Sequence, residues 1–182
     1  SNINYILVLH VINPLRSNYI SEKVNLQDKN VIDVACGGGL LAEALNKFGA
    51  NVTGIDISDV AINTAQIHAE KTNCDVTYIH GEAEDLLPEK KESFDVVTCL
   101  EAIEHVPNPQ QLVKTCSDLC KPGGTIVFST INRNPKSFLF AIIGAEYILN
   151  LLPKGTHEFK KFLKPSEISN MMRNSNLEVK EI

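Results

Sequence analysis

The sequence predicts an α/β fold with a doubly wound, mostly parallel sheet. The first observation is that short apolar runs alternate with segments of helical periodicity through the central part of the chain. The second is a glycine-rich loop that directly follows the first apolar run and opens a helical segment. The third is an acidic residue at the end of the second run, where sheets of this class bind ligands.

The predicted elements follow from these patterns in chain order. Strands are predicted, because of their apolar and β-branched residues, at 30–34, 51–55, 75–79, 94–99 and 125–130. Helices are predicted between them, at 40–48, 60–72 and 110–120. Right-handed crossovers place helices on both faces of the sheet, and ligands then bind at the carboxyl ends of the strands.

All 182 residues are expected to form one domain. Its four regions are an N-terminal helical extension at 1–29, a cofactor-binding core at 30–130, an inserted lid that contacts substrate or membrane at 131–164, and a C-terminal helix and strand at 165–182. The C-terminal strand is predicted to begin near Leu177, so the chain stops within that strand.

Composition and charge exclude several classes of protein. The chain is 43% hydrophobic and 21% charged, as ordinary soluble proteins are, and its net charge of −5 argues against broad binding of nucleic acid. Its five cysteines form no Cys-x-x-Cys pair, which argues against a disulfide framework or a structural zinc site. There is no signal-peptide pattern, and no apolar run reaches the ~20 residues of a membrane span. We therefore expect a cytoplasmic protein that contacts a membrane only peripherally.

The strongest functional signal is the loop that contains Gly37 and Gly39, between the first strand and the helix that follows it. Glycines let a ligand approach the backbone closely, and the helix N-terminus offers free N–H donors. Asp56, at the end of the second strand, can accept hydrogen bonds from both hydroxyls of a ribose. Together these residues predict a cofactor that contains adenosine.

Two cofactors fit this pattern. A dinucleotide fits because the loop satisfies Gly37-x-Gly39-x-x-Ala42. S-adenosylmethionine (SAM) fits because Asp33, at the end of the first strand, suits a cationic ligand. Glu82 and Ala83 follow the third strand, where an acid can accept a hydrogen bond from the adenine amino group. Because acids recur at successive strand ends, a tight turn without a ligand is disfavoured.

This series of segments resembles the class I SAM-dependent methyltransferases, whose core is a Rossmann-like sheet. Five segments resemble the ubiquinone biosynthesis O-methyltransferase family in particular, namely residues 10–16, 99–106, 129–134, 144–148 and 153–157. The resemblance implies SAM as cofactor and a phenolic or catecholic hydroxyl of a polyprenylated ubiquinone precursor as methyl acceptor. It also implies that the last antiparallel strand and the residues that usually precede position 10 are missing, as in a fragment.

The resemblance implies four cofactor contacts. They are Arg16 near the methionine carboxylate, position 35 in the loop, Asp56 at the ribose and Leu100 beside the adenosine. An arginine suits the first role because a guanidinium group binds a carboxylate through two parallel hydrogen bonds. The family usually has glycine at position 35, whereas this chain has Ala35, and we expect cofactor binding to survive the difference.

Glu101, Glu104 and His105 are the candidate catalytic residues. Their spacing places them on one face if the segment is helical. In one interpretation they bind Mg²⁺ or another divalent metal, which lowers the pKa of a bound hydroxyl, and some members of the family are held to use a metal there. In another, His105 is the general base. In a third, Glu104 and His105 only order the loop.

Residues 138–152 are apolar nearly all around a helix, and residues 154–164 are rich in lysine. This combination fits peripheral contact with anionic lipid, or else a buried lid or dimer helix beside a solvated basic loop. The candidate residues for contact with substrate or membrane are Phe138, Ile142, Tyr147, Lys154 and His157.

The resemblance also implies a location at the inner membrane, on its cytoplasmic side in a bacterium or on the matrix side of a mitochondrion. It further implies association with other proteins of ubiquinone biosynthesis.

The alternatives to this function are another small-molecule methyltransferase, a catalytically silent SAM-binding protein and a dehydrogenase. A nucleic-acid methyltransferase is disfavoured by the acidic charge and by the lack of an Asn/Asp-Pro-Pro-aromatic motif, so no nucleic-acid partner is expected.

Overall fold

The computed structural model describes residues 2–130 and 163–181. Its first elements are helix α1 (Asn2–Lys23), strand β1 (Asn30–Val34), helix α2 (Leu40–Lys47), strand β2 (Asn51–Asp56), helix α3 (Asp59–Thr72) and strand β3 (Val76–His80). They are followed by a 3₁₀ turn (Ala83–Leu86), helix α4 (Leu87–Lys90), strand β4 (Phe94–Leu100), helix α5 (Pro109–Leu119), strand β5 (Cys120–Ser129) and helix α6 (Pro165–Asn174).

The five strands form one sheet in the order β3-β2-β1-β4-β5, and every neighbouring pair is parallel. The chain adds β2 and β3 on one side of β1 and then crosses to add β4 and β5 on the other. The doubly wound fold predicted from the sequence is therefore confirmed. The switch point lies between β1 and β4, and its carboxyl end is where sheets of this class bind ligands.

Apolar side chains on both faces of the sheet form two hydrophobic clusters. Ile32 and Val97 belong to the cluster that α5 covers. Val31 and Val96 belong to the cluster that α1, α2 and α3 cover. All four side chains are fully buried, and a sheet buried on both faces needs nearly continuous apolar strands. A polar residue inside such a strand is therefore a signal of function.

Helix α1 packs against α2 and lies over the same face as α3. Its inner side includes Ile20, which is 1% exposed, and the helix continues through Pro14. The chain then reaches β1 by way of Leu26, which is also buried. This anchor fixes the middle of α1 beside the switch point. Among the helices of the described ranges, none is long and apolar enough to cross a membrane.

Two sequence predictions concern the C-terminal part of the chain, namely a last strand and a lid. The strand predicted from Leu177 is wrong, because residues 177–181 form no strand. A strand requires backbone pairing, and among the described residues the sheet has five strands, none of which pairs with residues 177–181. The predicted lid, 131–164, lies outside the described residues except for Leu163 and Lys164. Its candidate contact residues therefore also lie outside them, namely Phe138, Ile142, Tyr147, Lys154 and His157.

Candidate active site

A cavity of about 210 Å³ opens at the carboxyl ends of β1 and β4, under the side of α1. The residues that line it are Asn13, Arg16, Asp33, Ala35, Cys36, Gly37, Gly38, Leu40, Leu41, Leu100 and Glu101. A larger cavity, of about 380 Å³, includes Asn30, Asn51 and Ser93 at the amino-terminal side of the strands. We assign the site to the smaller one because ligands of parallel sheets bind at the carboxyl ends.

The glycine loop has a backbone shaped for close contact with a ligand. The φ angle is positive at every second residue, with +57° at Ala35, +53° at Gly37 and +79° at Gly39. A Cβ atom added at Gly37 or Gly38 would meet nothing within 4 Å. A Cβ atom on Gly39 would lie 2.2 Å from the Tyr78 hydroxyl, so that glycine serves packing. The first two glycines therefore leave open space beside the cavity.

Ala35 adopts the left-handed conformation that glycine usually provides. A side chain in this region costs roughly 1–2 kcal/mol. The alanine is exposed at the edge of the cavity, and the loop keeps its course despite the methyl group. The departure from the family pattern is therefore accommodated as local strain.

Asp56 joins the glycine loop to the start of α3. Its Oδ2 atom accepts a hydrogen bond from the Gly37 N–H at 2.8 Å, and its Oδ1 atom accepts one from the Ser58 N–H at 2.8 Å. Each carboxylate oxygen can accept a further bond, so the group is fixed in place and still able to bind hydroxyls. Next to it, the Ile57 side chain is 73% exposed, a feature that sequence reasoning missed.

Asp33 is buried at the floor of the cavity, with 3% exposure. It lies opposite Thr98 of β4 in the sheet register, and the Thr98 hydroxyl donates a hydrogen bond of 2.6 Å to its Oδ1 atom. Burial raises the pKa of Asp33 to about 7, the negative charge of Asp56 raises it too, and the Thr98 bond and Arg16 lower it. Asp33 can therefore change its charge near neutral pH. The sequence analysis did not identify Thr98 as a site residue, although it is a polar residue inside an apolar strand.

Arg16 of α1 and Glu101, just after β4, form an ion pair at one side of the cavity. The Arg16 Nη2 atom donates to the Glu101 Oε1 atom at 2.6 Å, and the Ser129 hydroxyl donates to the same oxygen at 2.9 Å. Leu100 lines the cavity beside them. Arg16, Asp33, Ala35, Gly37 and Leu100, all of them predicted cofactor contacts, thus line one cavity.

Glu104 is 3% exposed, and the two oxygens of its carboxyl group differ in their hydrogen bonding. Its Oε2 atom accepts a hydrogen bond of 2.8 Å from the Thr130 hydroxyl, whereas its Oε1 atom has no hydrogen-bond partner in the part of the chain described. Burial raises the pKa of this carboxyl group above its ordinary value. An unpaired buried oxygen of this kind costs free energy and indicates a site for a ligand or a proton.

Glu82 and Ala83 follow β3 at the same edge of the sheet, but neither lines the cavity. Glu82 is exposed, and its N–H donates to the Asp85 carboxylate at 3.3 Å as the cap of the 3₁₀ turn. Gly39 and Asp56 likewise border the cavity without lining it. The structure therefore brings the glycine loop and Asp33 together at the cavity and leaves Glu82 and Ala83 outside its lining.

Comparisons with known proteins identify the family. Residues 32–128 match the methyltransferase domain family. The chain is 55% identical over 174 residues to the ubiquinone biosynthesis O-methyltransferase of Pseudomonas syringae pv. tomato, an alignment that covers 96% of this chain and 75% of that protein. It is 54% identical over 176 residues to the enzyme of the same name from Marinobacter nauticus, covering 96% and 74%. The chain belongs to the ubiquinone biosynthesis O-methyltransferase family.

Solved structures agree with this O-methyltransferase fold. A SAM-dependent methyltransferase from Aquifex aeolicus aligns with a TM-score of 0.70 at 14% identity, covering 91% of this chain and 81% of that one. Magnesium protoporphyrin IX methyltransferase from Synechocystis, with bound SAH, aligns with a TM-score of 0.69 at 19% identity, covering 95% and 73%. These likenesses show the fold.

SAM is the methyl donor of this O-methyltransferase family, and the described residues fit it. The open glycine loop, a buried acid for a cation and a second acid for hydroxyl groups all surround the same cavity edge. An alanine at position 35 leaves that arrangement intact.

A metal does not fit the described residues in the same way. Residues 101–106 form bends and turns instead of a helix, so Glu101, Glu104 and His105 do not share one face. Glu101 pairs with Arg16, Glu104 is buried, and His105 is exposed. Within ranges 2–130 and 163–181, no group of three His, Cys, Asp or Glu side chains is arranged to hold a metal ion.

Proposed function

We propose that this O-methyltransferase transfers the methyl group of SAM to a phenolic or catecholic hydroxyl of a polyprenylated ubiquinone precursor. The name of its relatives, at 52–55% identity, supports the class of acceptor. The single observation that favours a hydroxyl acceptor is the buried Glu104 carboxyl group, whose Oε1 atom has no partner within residues 2–130 and 163–181. A hydroxyl must lose its proton during methylation, and such a group can receive it.

The proposed cofactor contacts follow from the positions of the residues. Arg16 would bind the methionine carboxylate of SAM, and Asp33 would bind its positively charged amino group, since both line the cavity. Asp56 would bind the ribose hydroxyls, and the exposed Ile57 side chain and Leu100 would contact the adenine. Glu82 and Ala83, which follow β3, would bind the adenine amino group.

The catalytic roles are assigned to this chain's own groups. When bound, SAM supplies an electrophilic methyl group on its sulfonium. The Glu104 Oε1 atom accepts the proton of the acceptor hydroxyl, and Thr130 orients the carboxyl group through Oε2. Methyl transfer from bound SAM would form the oxygen–methyl bond as the carbon–sulfur bond breaks, with the electron pair of that bond left on sulfur. We place the base at Glu104 because His105 is exposed to solvent.

Methyl transfer to a short-tailed demethylubiquinol, with and without EDTA, tests this function. We expect turnover in both conditions, because the described carboxylates do not gather around a metal site. Turnover abolished by EDTA and restored by Mg²⁺ would contradict the metal-free assignment and leave the acceptor class intact. Binding of SAM without turnover on any phenol would contradict the acceptor class and favour a silent binding protein or another acceptor.

We also propose that the enzyme works at the cytoplasmic face of the bacterial inner membrane. The apolar segment 138–152 and the lysine-rich segment 154–164 support contact with anionic lipid, which would give access to an isoprenoid substrate and to other enzymes of the pathway. In a flotation assay we expect the protein to rise with phosphatidylglycerol vesicles and to remain at the bottom with phosphatidylcholine vesicles. A protein that floats with neither kind of vesicle would contradict the proposal of membrane contact.

A further inference from the structure

We propose that Glu101 is a positioning residue for the cofactor: it holds the Arg16 guanidinium over the cavity, ready to bind the methionine carboxylate of SAM. The sequence placed Glu101 instead among candidate metal ligands and catalytic residues. The proposal rests on the assignment of Arg16 to the cofactor carboxylate. It adds a residue whose effect on the cofactor is transmitted through another side chain.

The first support is the geometry of the ion pair. Arg16 and Glu101 are joined by a hydrogen bond of 2.6 Å, and both side chains are mostly buried, with 22% and 31% exposure. Both residues line the cavity. A guanidinium group has five N–H donors, and the bond to Glu101 uses one of them. The remaining donors can bind a second carboxylate while the first stays in place.

The second support is the way in which Glu101 itself is fixed. Its N–H donates to the Ser129 carbonyl at 2.9 Å, and the Ser129 hydroxyl donates to its Oε1 atom at 2.9 Å. Its φ angle is +55°, a conformation that residues with side chains rarely adopt. The end of β5 therefore holds Glu101 in a strained turn that aims its carboxylate at α1. Strain retained in this way is typical of a functional constraint.

The third support is the contrast with Glu104. The Glu101 Oε1 atom already accepts two hydrogen bonds, one from the Arg16 guanidinium and one from the Ser129 hydroxyl. The Glu104 Oε1 atom accepts none from the residues that the structure describes. Two carboxylates three positions apart are thus assigned different tasks, with Glu101 facing the cofactor and Glu104 facing the acceptor.

The sign of the effect depends on two opposing contributions. Glu101 repels the incoming methionine carboxylate, which would weaken binding of SAM. It also restricts the long Arg16 side chain, which would otherwise lose its conformational freedom when the cofactor binds. Water and salt screen the repulsion between partly exposed charges, so this unfavourable contribution is small. The entropic contribution from restricting Arg16 is not reduced by screening. We therefore expect loss of Glu101 to weaken cofactor binding.

Calorimetric titration with S-adenosylhomocysteine tests the proposal without requiring turnover. We expect Glu101→Ala to raise the Kd about 10-fold and Glu101→Gln, which keeps the contact with Ser129, to raise it about threefold. In Arg16→Ala the further change Glu101→Ala should have no added effect, because the two residues act as one unit. In steady-state assays with Glu101→Ala, KM for SAM should rise about 10-fold while kcat at saturating SAM changes less than about threefold.

The matched control is Asp95→Asn, at the opposite end of β4. Asp95 forms a comparable ion pair with Lys121 at 2.9 Å, far from the cavity, so its loss should leave the Kd for S-adenosylhomocysteine unchanged. Wild-type affinity in folded Glu101→Ala, or a fall in kcat with KM for SAM unchanged, would overturn the proposal. A wild-type enzyme that binds S-adenosylhomocysteine but methylates no phenol would contradict only the proposed acceptor, since the binding comparison would still stand.

Discussion

Replacing Glu104 with glutamine is expected to lower kcat by about 10²- to 10³-fold, the typical contribution of a general base. The amide has nearly the same shape and can still accept the Thr130 hydrogen bond, so the buried site keeps its packing. It cannot accept the proton of the acceptor hydroxyl. KM for SAM should stay within about twofold of the wild-type value, since Glu104 does not line the cofactor cavity.

The pH dependence of kcat gives a second measurement on the same variant. Burial raises the pKa of the Glu104 carboxyl group, and only its ionised form can act as a base. Activity of the wild-type enzyme should therefore rise with pH through a value above the ordinary range of glutamate. In Glu104→Gln that rise should be absent. Without the carboxyl group, the residual rate should depend on pH only through the acceptor hydroxyl.

His105→Gln serves as the matched comparison at the next position. His105 is exposed, so its replacement should reduce kcat less than about threefold if Glu104 is the base. The reverse result, a large loss in His105→Gln and near wild-type turnover in Glu104→Gln, would assign proton removal to the histidine. Both variants should be assayed at saturating SAM, so that the comparison reports on chemistry.

The cofactor half of the site could be predicted because it depends on local patterns. Asp33 and Asp56 end adjacent apolar strands, and parallel strands bring their carboxyl ends to one edge of the sheet. The glycine loop between β1 and α2 needs no long-range information either. These positions follow once the alternation of strands and helices is recognised.

The side-chain contacts of the site could not be predicted in the same way, because they join distant segments of the chain. The pair of Arg16 and Glu101 joins residues 85 positions apart, and the Thr98 bond to Asp33 depends on the register of β4 against β1. The spacing of residues 101, 104 and 105 fits one helical face, but Pro107 soon follows, and proline disfavours helical backbone in the residue before it. The segment forms turns instead, with Ile103 fully buried.

Asp33→Asn is expected to have opposite effects on cofactor binding and on stability. In the wild-type enzyme, affinity for S-adenosylhomocysteine should fall as the pH decreases through about 7, because the pKa of buried Asp33 is raised to about 7 and only the ionised form attracts the amino group of the ligand. The asparagine variant should bind roughly 10- to 100-fold more weakly at pH 8. Its affinity should show no change around pH 7.

The expected sign for stability follows from the same pKa. The native state holds the Asp33 proton more tightly than the unfolded chain, whose aspartate has the ordinary value of 3.8. Its protonation favours folding below about pH 4, and this advantage is lost as the pH rises from 4 through 7. Above pH 7 the ligand-free enzyme contains a buried charge. Asp33→Asn should therefore raise the free energy of unfolding by about 2 to 4 kcal/mol at pH 8 and have little effect near pH 4.

Thr98→Val is the control that separates ionisation of Asp33 from packing around it. Valine has nearly the same volume as threonine but cannot donate the 2.6 Å hydrogen bond that lowers the pKa of Asp33. The midpoint of the pH-dependent binding should therefore shift upward in this variant, and affinity at pH 9 should approach the wild-type value. An Asp33→Asn enzyme that binds S-adenosylhomocysteine normally at pH 8 would show that the acid is structural. Weak binding with raised stability would show that the sheet maintains a buried charge, at a cost in folding free energy, for the sake of the cofactor.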